Sequence, residues 1–403
     1  MTLTKKPYKK LQSSKYLKKI MTKYYRNSKI LPYLGRNIAW ISSGAPVEIL
    51  RAMKIYPLYP ENFGALCGAQ RISTRLCEVA ESHGYSQDLC SYARNSIGSI
   101  LNGNIAPMRG LRKPDLLVCS NNICATVVKW FEALRDHFKV PLFVLDTPFV
   151  EGELEPHTID YVKSQLSELI SFLEKHTQSE LKEENLNNVL KRSIEAVSLW
   201  TKILKNCKAI PTPLNCPDRF IGMAPIVCLR GTKDAISYYE RLLYEEEERM
   251  REKKGAIKDE KFRLLWDNIP VWFNIYNLFN SLAERGVSFP ADTYTHAWSG
   301  KLNLGDPFLS LTEVYISIFL NRGLNYKIDL MKKLIKDYSL DGFVMHSDRS
   351  CKSYSLGQLD IKRVLSEETG VPGIIIEGDM CDSRNYDEVQ AMKKMEIFLE
   401  VLG

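Results

Sequence analysis

The sequence predicts an α/β fold of two Rossmann-like lobes with parallel sheets, joined by a helical segment. Three observations carry that reading. Short apolar stretches end in small or polar residues, helical periodicity resumes a few residues after each, and a long strand-free stretch separates two such regions. Strand–helix–strand alternation with short turns makes βαβ units and hence parallel sheets. With 403 residues, 45% hydrophobic and 26% charged, the chain can bury sizeable cores and is neither disordered nor fibrous. The division read from the pattern is a basic arm over 1–35, a first lobe over 36–155, a helical connection over 156–260 and a second lobe over 261–403.

The arm is set apart by charge. Met1 to Trp40 holds eleven basic residues (Lys5, Lys6, Lys9, Lys10, Lys15, Lys18, Lys19, Lys23, Arg26, Lys29 and Arg36) and no acid. The whole chain carries +7, so the remainder carries −4. Tyr8, Leu11, Tyr16, Leu17, Ile20 and Tyr24 recur at helical spacing, which reads as a solvated helix rather than a nucleic-acid arm. No nucleic-acid partner is expected.

In the first lobe, Asn37–Ile41 reads as a buried strand ending in the turn Ser42-Ser43-Gly44-Ala45-Pro46. The helix 47–53, the strand 55–58 and a helix over 66–83 follow. Pro114–Cys119 is a strand that turns through Ser120-Asn121-Asn122 into a helix over 124–137, and 140–145 is the next strand. From Pro156 to about Glu252 the pattern is helical, broken at Pro211, Pro213 and Pro217, with Glu245–Glu248 as a solvated acidic face. In the second lobe the surest strands are 342–346 and 373–376, with a helix over 356–368 between them. Ligands bind beyond the carboxyl ends of strands in open parallel sheets. The crevice edges therefore include Cys119–Cys124, Asp146, Cys351 and Asp379. No internal repeat is visible.

No apolar run reaches the roughly 20 residues needed to span a bilayer, and the first 30 residues lack a signal-peptide core, so a cytoplasmic protein is expected. Walker A, GxGxxG, HExxH and GxSxG motifs are absent, which excludes the ATPase, nicotinamide, zincin and serine-hydrolase readings those motifs carry. Ten cysteines without a CxxC pair argue against a zinc ribbon. Cys67, Cys77, Cys207, Cys216 and Cys228 read as small buried hydrophobes without polar company. Cys124, where a strand turn meets a helix N-terminus, stands where N–H groups and the helix dipole favour a thiolate. Cys351, between Arg349 and Lys352, and Cys90, four residues before Arg94, have comparable surroundings. Three such thiols meeting in one crevice would suit a metal or cluster with an open coordination site. Glu61, held by Pro60 on a rigid turn, is either a positioned acid/base or a helix-capping acid. His296, beside aromatics, reads as structural.

Taken in order, the segments Trp40…Ser43, Tyr59-Pro-Glu-Asn62, Cys90-Ser-Tyr-Ala-Arg94, Asn121-Asn-Ile-Cys124…Lys129-Trp130, Arg230-Gly231, Thr295-His-Ala-Trp298, Arg349-Ser-Cys-Lys352 and Gly378-Asp379…Asp382-Ser-Arg-Asn385 resemble the 2-hydroxyacyl-CoA dehydratase and class I benzoyl-CoA reductase family. The likeness is to its electron-accepting component D, and it runs from about residue 36 to the C-terminus. It implies a [4Fe–4S] cluster on Cys90, Cys124 and Cys351, a related second component D subunit in a heterodimer, and an ATP-dependent iron–sulfur activator protein. An acyl-CoA is the implied substrate. In the dehydratases one electron makes a ketyl radical of a (R)-2-hydroxyacyl-CoA, the hydroxyl leaves to the open iron, a β-proton is lost and the electron returns. By resemblance Ser43 is a hydrogen-bond donor near the thioester carbonyl and Glu61 a polar or acid/base group near the substrate hydroxyl. Gly103-Asn-Ile-Ala-Pro107 and Arg230-Gly-Thr-Lys-Asp-Ala235 resemble instead a cluster-bearing subunit of benzoyl-CoA reductase. Homodimeric double-cubane reductases are a third branch, for which Cys67, Cys119 or Cys381 could supply further ligands. A scaffold that keeps the fold without a cluster is the non-enzymatic alternative. At 383, where many relatives have Pro, this chain has Ser.

Overall fold

The computed structural model describes residues 11–403, so Lys5, Lys6, Tyr8, Lys9 and Lys10 lie outside the described residues. The first lobe contains β1 (Ile38–Ile41), β2 (Tyr56–Leu58), β3 (Leu116–Ser120) and β4 (Leu142–Leu145), and the second contains β5 (Phe262–Asp267), β6 (Val287–Asp292), β7 (Gly342–Asp348) and β8 (Gly373–Gly378). Each set forms one four-stranded sheet, in the orders β2-β1-β3-β4 and β6-β5-β7-β8. Every pairing is parallel, with Trp40 opposite Leu58 and Leu117, and Trp266 opposite Val344. The two lobes thus share one topology, a repeat that the sequence does not display. Strands β1 and β3 are buried along their whole lengths, which is why they read as unbroken apolar runs rather than alternating ones.

The basic segment is built into the body. Helix Ser13–Ile30 buries Leu17, Ile20, Tyr24 and Tyr25, while Lys15, Lys18, Lys19, Lys23, Arg26 and Lys29 are exposed. The Tyr24 hydroxyl donates to the Pro57 carbonyl at 3.0 Å and that of Tyr25 to Asn62 at 2.8 Å. The apolar spacing therefore marks a packed face, and only the basic face is solvated.

Long helices Pro156–Thr177, Glu183–Asn206 and Lys233–Arg251 make up most of the connection. They touch both lobes: Ser193 donates to Glu48 at 3.1 Å, and the Trp200 indole donates to the Thr295 carbonyl at 3.2 Å. Among the described residues no helix is long and apolar enough to cross a membrane.

Four local readings are corrected. The single helix over 66–83 is two helices, Pro60–Ala69 and Ser73–Ser82, parted at Arg71, which has φ +59°. Pro217 opens helix Cys216–Gly222 instead of interrupting one, behind an Asn215/Asp218 capping box, because its missing N–H is one that the first turn leaves unpaired anyway. Glu246 is not part of a solvated face; it is buried and accepts from Asn206 at 3.0 Å. Cys207 and Cys216 do have polar company, since the buried Arg219 guanidinium contacts both sulfurs, at 3.7 and 3.1 Å, and pairs with Asp292 at 2.8 Å.

Helices Ser73–Ser82 and Ser91–Leu101 pack against each other at Gly98, where a Cβ would lie 1.9 Å from the Leu76 carbonyl oxygen. Gly98→Ala is therefore expected to destabilise the protein by about 1–3 kcal/mol, read from the urea midpoint. An unchanged midpoint would contradict this packing.

Candidate functional site

The carboxyl ends of both sheets face one cavity of about 330 Å³, lined by Ser43, Glu61, Cys90, Cys124 and Cys351 together with further residues of both lobes and Arg230 of the connection. Chain topology explains the gathering. Each sheet order reverses beside its first strand, and loops that leave adjacent strands in opposite directions open a crevice there. Ser43 follows β1, Glu61 follows β2, Cys124 follows β3 and Cys351 follows β7.

Strands β1 and β2 pair directly, so the residues just past their ends are neighbours. The Ser43 N–H donates to one oxygen of Glu61 at 2.7 Å and its hydroxyl to the other at 2.8 Å. Burial pushes the Glu61 carboxyl up to about 7, against the downward pull of those two bonds. Glu61 stands in the first turn of its helix behind Pro60, but its acceptors are spent on Ser43 across the crevice. Those bonds, rather than a helix-capping contact, occupy the carboxylate. On the far side of Ser43, the Asn122 amide donates to the Gly44 carbonyl at 2.8 Å and to the Tyr315 carbonyl at 2.9 Å. A Cβ at Gly44 would meet Asn122 Oδ1 at 2.0 Å, so this approach requires glycine.

Cys90, Cys124 and Cys351 are the N-cap residues of helices Ser91–Leu101, Ala125–Phe138 and Lys352–Ser355. Backbone N–H groups of Tyr92 and Ala93 point at the first sulfur, those of Thr126 and Val127 at the second, and that of Tyr354 at the third. The thiols are close enough to repel as thiolates: Cys124 acts on Cys90, and both act on Cys351. Convergence across the two lobes is thus a property of the fold. The thiolate expectation is corrected, however. Burial pushes all three thiols up, and the helix N-terminal donors only partly offset it, because desolvation of a charge outweighs a few amide dipoles. A positively charged group placed among them would reverse that balance. No group of three or more His, Cys, Asp or Glu among the described residues is placed to hold a metal ion. Thiols set around a cavity can instead ligate a group that itself spans several atoms.

Other residues singled out by sequence fall elsewhere. Asp146 and Asp379 do not line the cavity: Asp146 is exposed and accepts from Tyr161 at 2.8 Å, while Asp379 is buried and accepts the N–H groups of Cys381 and Asp382. Cys67, Cys119 and Cys381 are buried outside it, the last donating to the Gly64 carbonyl at 3.3 Å. His296 is structural: Nδ1 meets the Asp292 carbonyl, Nε2 meets the Tyr338 hydroxyl, and burial lowers its pKa to about 4.

Sequence reasoning missed a buried triad at the cavity wall. The Arg230 guanidinium lies 2.8 Å from Glu48, whose other oxygen accepts the Tyr315 hydroxyl at 2.7 Å. The rings of Trp298 and Tyr315 flank it at 5.7 Å. Arg230 stood in the quoted motifs, but its partners Glu48 and Tyr315 belong to the two lobes on either side of the connection that carries it. Tyr92, two residues beyond Cys90, also lines the cavity and accepts from the Trp272 indole at 2.6 Å.

The family model for the 2-hydroxyglutaryl-CoA dehydratase D-component matches residues 42–402. The chain is 33% identical, over 95% of its length and 94% of the relative, to the (R)-2-hydroxyisocaproyl-CoA dehydratase alpha subunit of Clostridioides difficile. It is 29% identical, over 91% of its length and 90% of the relative, to the (R)-phenyllactyl-CoA dehydratase alpha subunit of Clostridium sporogenes. It is 30% identical, over 88% of its length and 86% of the relative, to a benzoyl-CoA reductase subunit of Thauera aromatica.

The Glu61 carboxyl binds its proton more tightly folded than unfolded. Its stabilising effect is full below its ordinary value near 4.5 and is lost as pH rises through about 7. Thermal melts at pH 5 and pH 8 should show wild type losing more stability over that interval than Glu61→Gln. Parallel losses would place the carboxyl in solvent.

Proposed function

Because the chain belongs to the 2-hydroxyglutaryl-CoA dehydratase D-component family, we propose that it is the catalytic subunit of a 2-hydroxyacyl-CoA dehydratase acting in the cytoplasm. The observation that carries this reading is the gathering of three cysteines from two lobes around the cavity that also holds the Ser43–Glu61 pair. Cys90, Cys124 and Cys351 would hold a [4Fe–4S] cluster, since three helix N-termini aim N–H donors at their sulfurs. When bound, that cluster supplies a low-potential electron and an open iron. Its partners are a related second subunit, in keeping with relatives named as alpha subunits, and an ATP-dependent iron–sulfur activator that delivers the electron.

The overall reaction breaks the C2–O and C3–H bonds of a (R)-2-hydroxyacyl-CoA, forms the C2=C3 double bond and releases water. Radical character at the thioester carbonyl, supplied by one electron that is regained at the end, makes the hydroxyl a feasible leaving group. Ser43 stands where a hydroxyl can donate to that carbonyl oxygen as it gains charge. Glu61, held near 7, can give a proton to the departing hydroxyl and then accept one, which is what an acid/base near ambient pH does well. Apolar walls exclude water from the radical. This Ser–Glu pair, an acid/base beside an electron-accepting site, favours dehydration over reduction of an aromatic ring.

With activator, ATP and a panel of (R)-2-hydroxyacyl-CoA esters, Ser43→Ala should lower kcat about 10²–10³-fold and Glu61→Gln about 10²–10⁴-fold, both at wild-type iron content. Full activity in either variant would remove its role. Ring reduction of benzoyl-CoA without dehydration of any 2-hydroxyacyl ester would assign the chain to the reductases.

A further inference from the structure

The shared topology of the two sheets brings one more polar group to the cavity. Glu61 follows β2 and Tyr294 follows β6, and these strands hold the same edge position in their sheets, just as the matching strands β3 and β7 carry Cys124 and Cys351. Tyr294 lines the cavity, and its ring meets that of Trp272 edge-on, at 70°. Its hydroxyl ends a relay. The Trp272 indole donates to the Tyr92 oxygen at 2.6 Å, and the Tyr92 hydroxyl is hydrogen-bonded in turn to that of Tyr294. An indole N–H only donates, whereas a phenol both accepts and donates. With its oxygen taken by the indole, Tyr92 is the donor to Tyr294, and the Tyr294 O–H is left to donate into the cavity.

The packing fixes where that donor stands. A Cβ at Gly64 would lie 2.6 Å from the Tyr92 ring, and Gly64 is three residues beyond Glu61 on the same face of helix Pro60–Ala69. Tyr92 therefore lies against the helix that presents Glu61. Glu61 and Cys351 both act electrostatically on Tyr294, so its hydroxyl is within reach of the carboxyl and of one of the three thiols. Burial raises the pKa of Tyr92 and of Tyr294, which keeps both phenols protonated and hence donors at neutral pH.

Building on the reading under Proposed function, we infer that Tyr294 is a further catalytic residue, whose hydroxyl donates a hydrogen bond to the 2-hydroxyl oxygen of the substrate as the C2–O bond breaks. That oxygen has two lone pairs. One takes the proton of Glu61 and the other accepts from Tyr294, so the departing group is satisfied by protein donors from both lobes. Tyr294 keeps its own proton throughout. Tyr92 and Trp272 are positioning residues that aim it.

The test compares the complete complex, purified without oxygen, with its Tyr294→Phe variant, which lacks only the hydroxyl. Equilibrium dialysis without activator reads the binding of three ester pairs: propanoyl-, 4-methylpentanoyl- and 3-phenylpropanoyl-CoA, each with and without an (R)-2-hydroxyl. For every pair that wild type binds, Tyr294→Phe should weaken the hydroxy ester about 3–10-fold and leave its partner without the hydroxyl unchanged. With activator and ATP, kcat should fall about 10–100-fold at wild-type iron content, because the bond strengthens as the oxygen gains charge. Tyr92→Phe, which keeps the Tyr294 hydroxyl but not the group that orients it, should show a smaller loss of the same kind. It carries the test if Tyr294→Phe does not keep its iron, and an unchanged Tyr92→Phe would then count against the inference. Unchanged binding and turnover in Tyr294→Phe, or equal weakening of both members of a pair, would overturn the inference and leave the dehydratase reading standing. A wild type that neither binds nor dehydrates any of the esters would remove that reading and the inference with it.

Discussion

One buried cation holds the two lobes in register. Arg94 lies one helical turn beyond Cys90, is wholly buried, and reaches Asp382 at 2.8 Å and Glu81 at 2.6 Å, with Asp379 at 3.9 Å. Its Nε donates to the Leu89 carbonyl at 3.0 Å, so the same side chain that grips the second lobe also fixes the turn carrying Cys90. Arg384 closes the ring by bridging Asp382 and Glu81 at 2.6 Å each. A buried pair of this kind adds little net stability over an apolar replacement, but loss of one partner costs about 3–5 kcal/mol because a charge is left uncompensated. Its value is geometric. Charge forbids the lobes from sliding, and beside it Ser350 donates to Ser91 at 3.2 Å, next to Cys351 and Cys90.

The chemistry follows from where that clamp lies. Two sheets of identical strand order present their carboxyl ends to a common crevice, and third-strand loops in both supply a cysteine at a helix N-terminus. Cys90, at the start of a helix that lies between β2 and β3 in the chain, completes the set. The Ser43–Glu61 pair stands past the ends of β1 and β2, so it is local to one lobe while thiol convergence needs both. Arg230, Glu48 and Tyr315 stand at the wall nearby and satisfy one another's polar groups.

Much of this was legible in the sequence because it is written in short range. Strand runs, the turns that end them and the helix start at Cys124 depend on neighbours within a few residues, and the structure places that helix start and the six strands read from sequence within about two residues. The ordered motifs pointed to the family that the comparisons then showed. Long-range electrostatics were not legible. Helix-end cysteines looked thiolate-prone because a local dipole can be read from spacing, whereas the burial that outweighs it depends on walls more than 200 residues away. The same blindness hid Glu246, whose place in an acidic run concealed its burial, and Arg219, which stands between two cysteines that seemed without polar company. Arg71, in the left-handed region, ended a helix that apolar periodicity alone would have continued.

Iron and acid-labile sulfide per chain, measured on anaerobically purified protein, decide whether the three thiols from two lobes form the proposed ligand set. About four of each in wild type is predicted. Loss of most of both is predicted in Cys90→Ser, Cys124→Ser and Cys351→Ser, with retention in Cys228→Ser, whose buried thiol lies outside the cavity. Little iron in wild type after reconstitution, or full iron in any of the three cavity variants, would contradict the account.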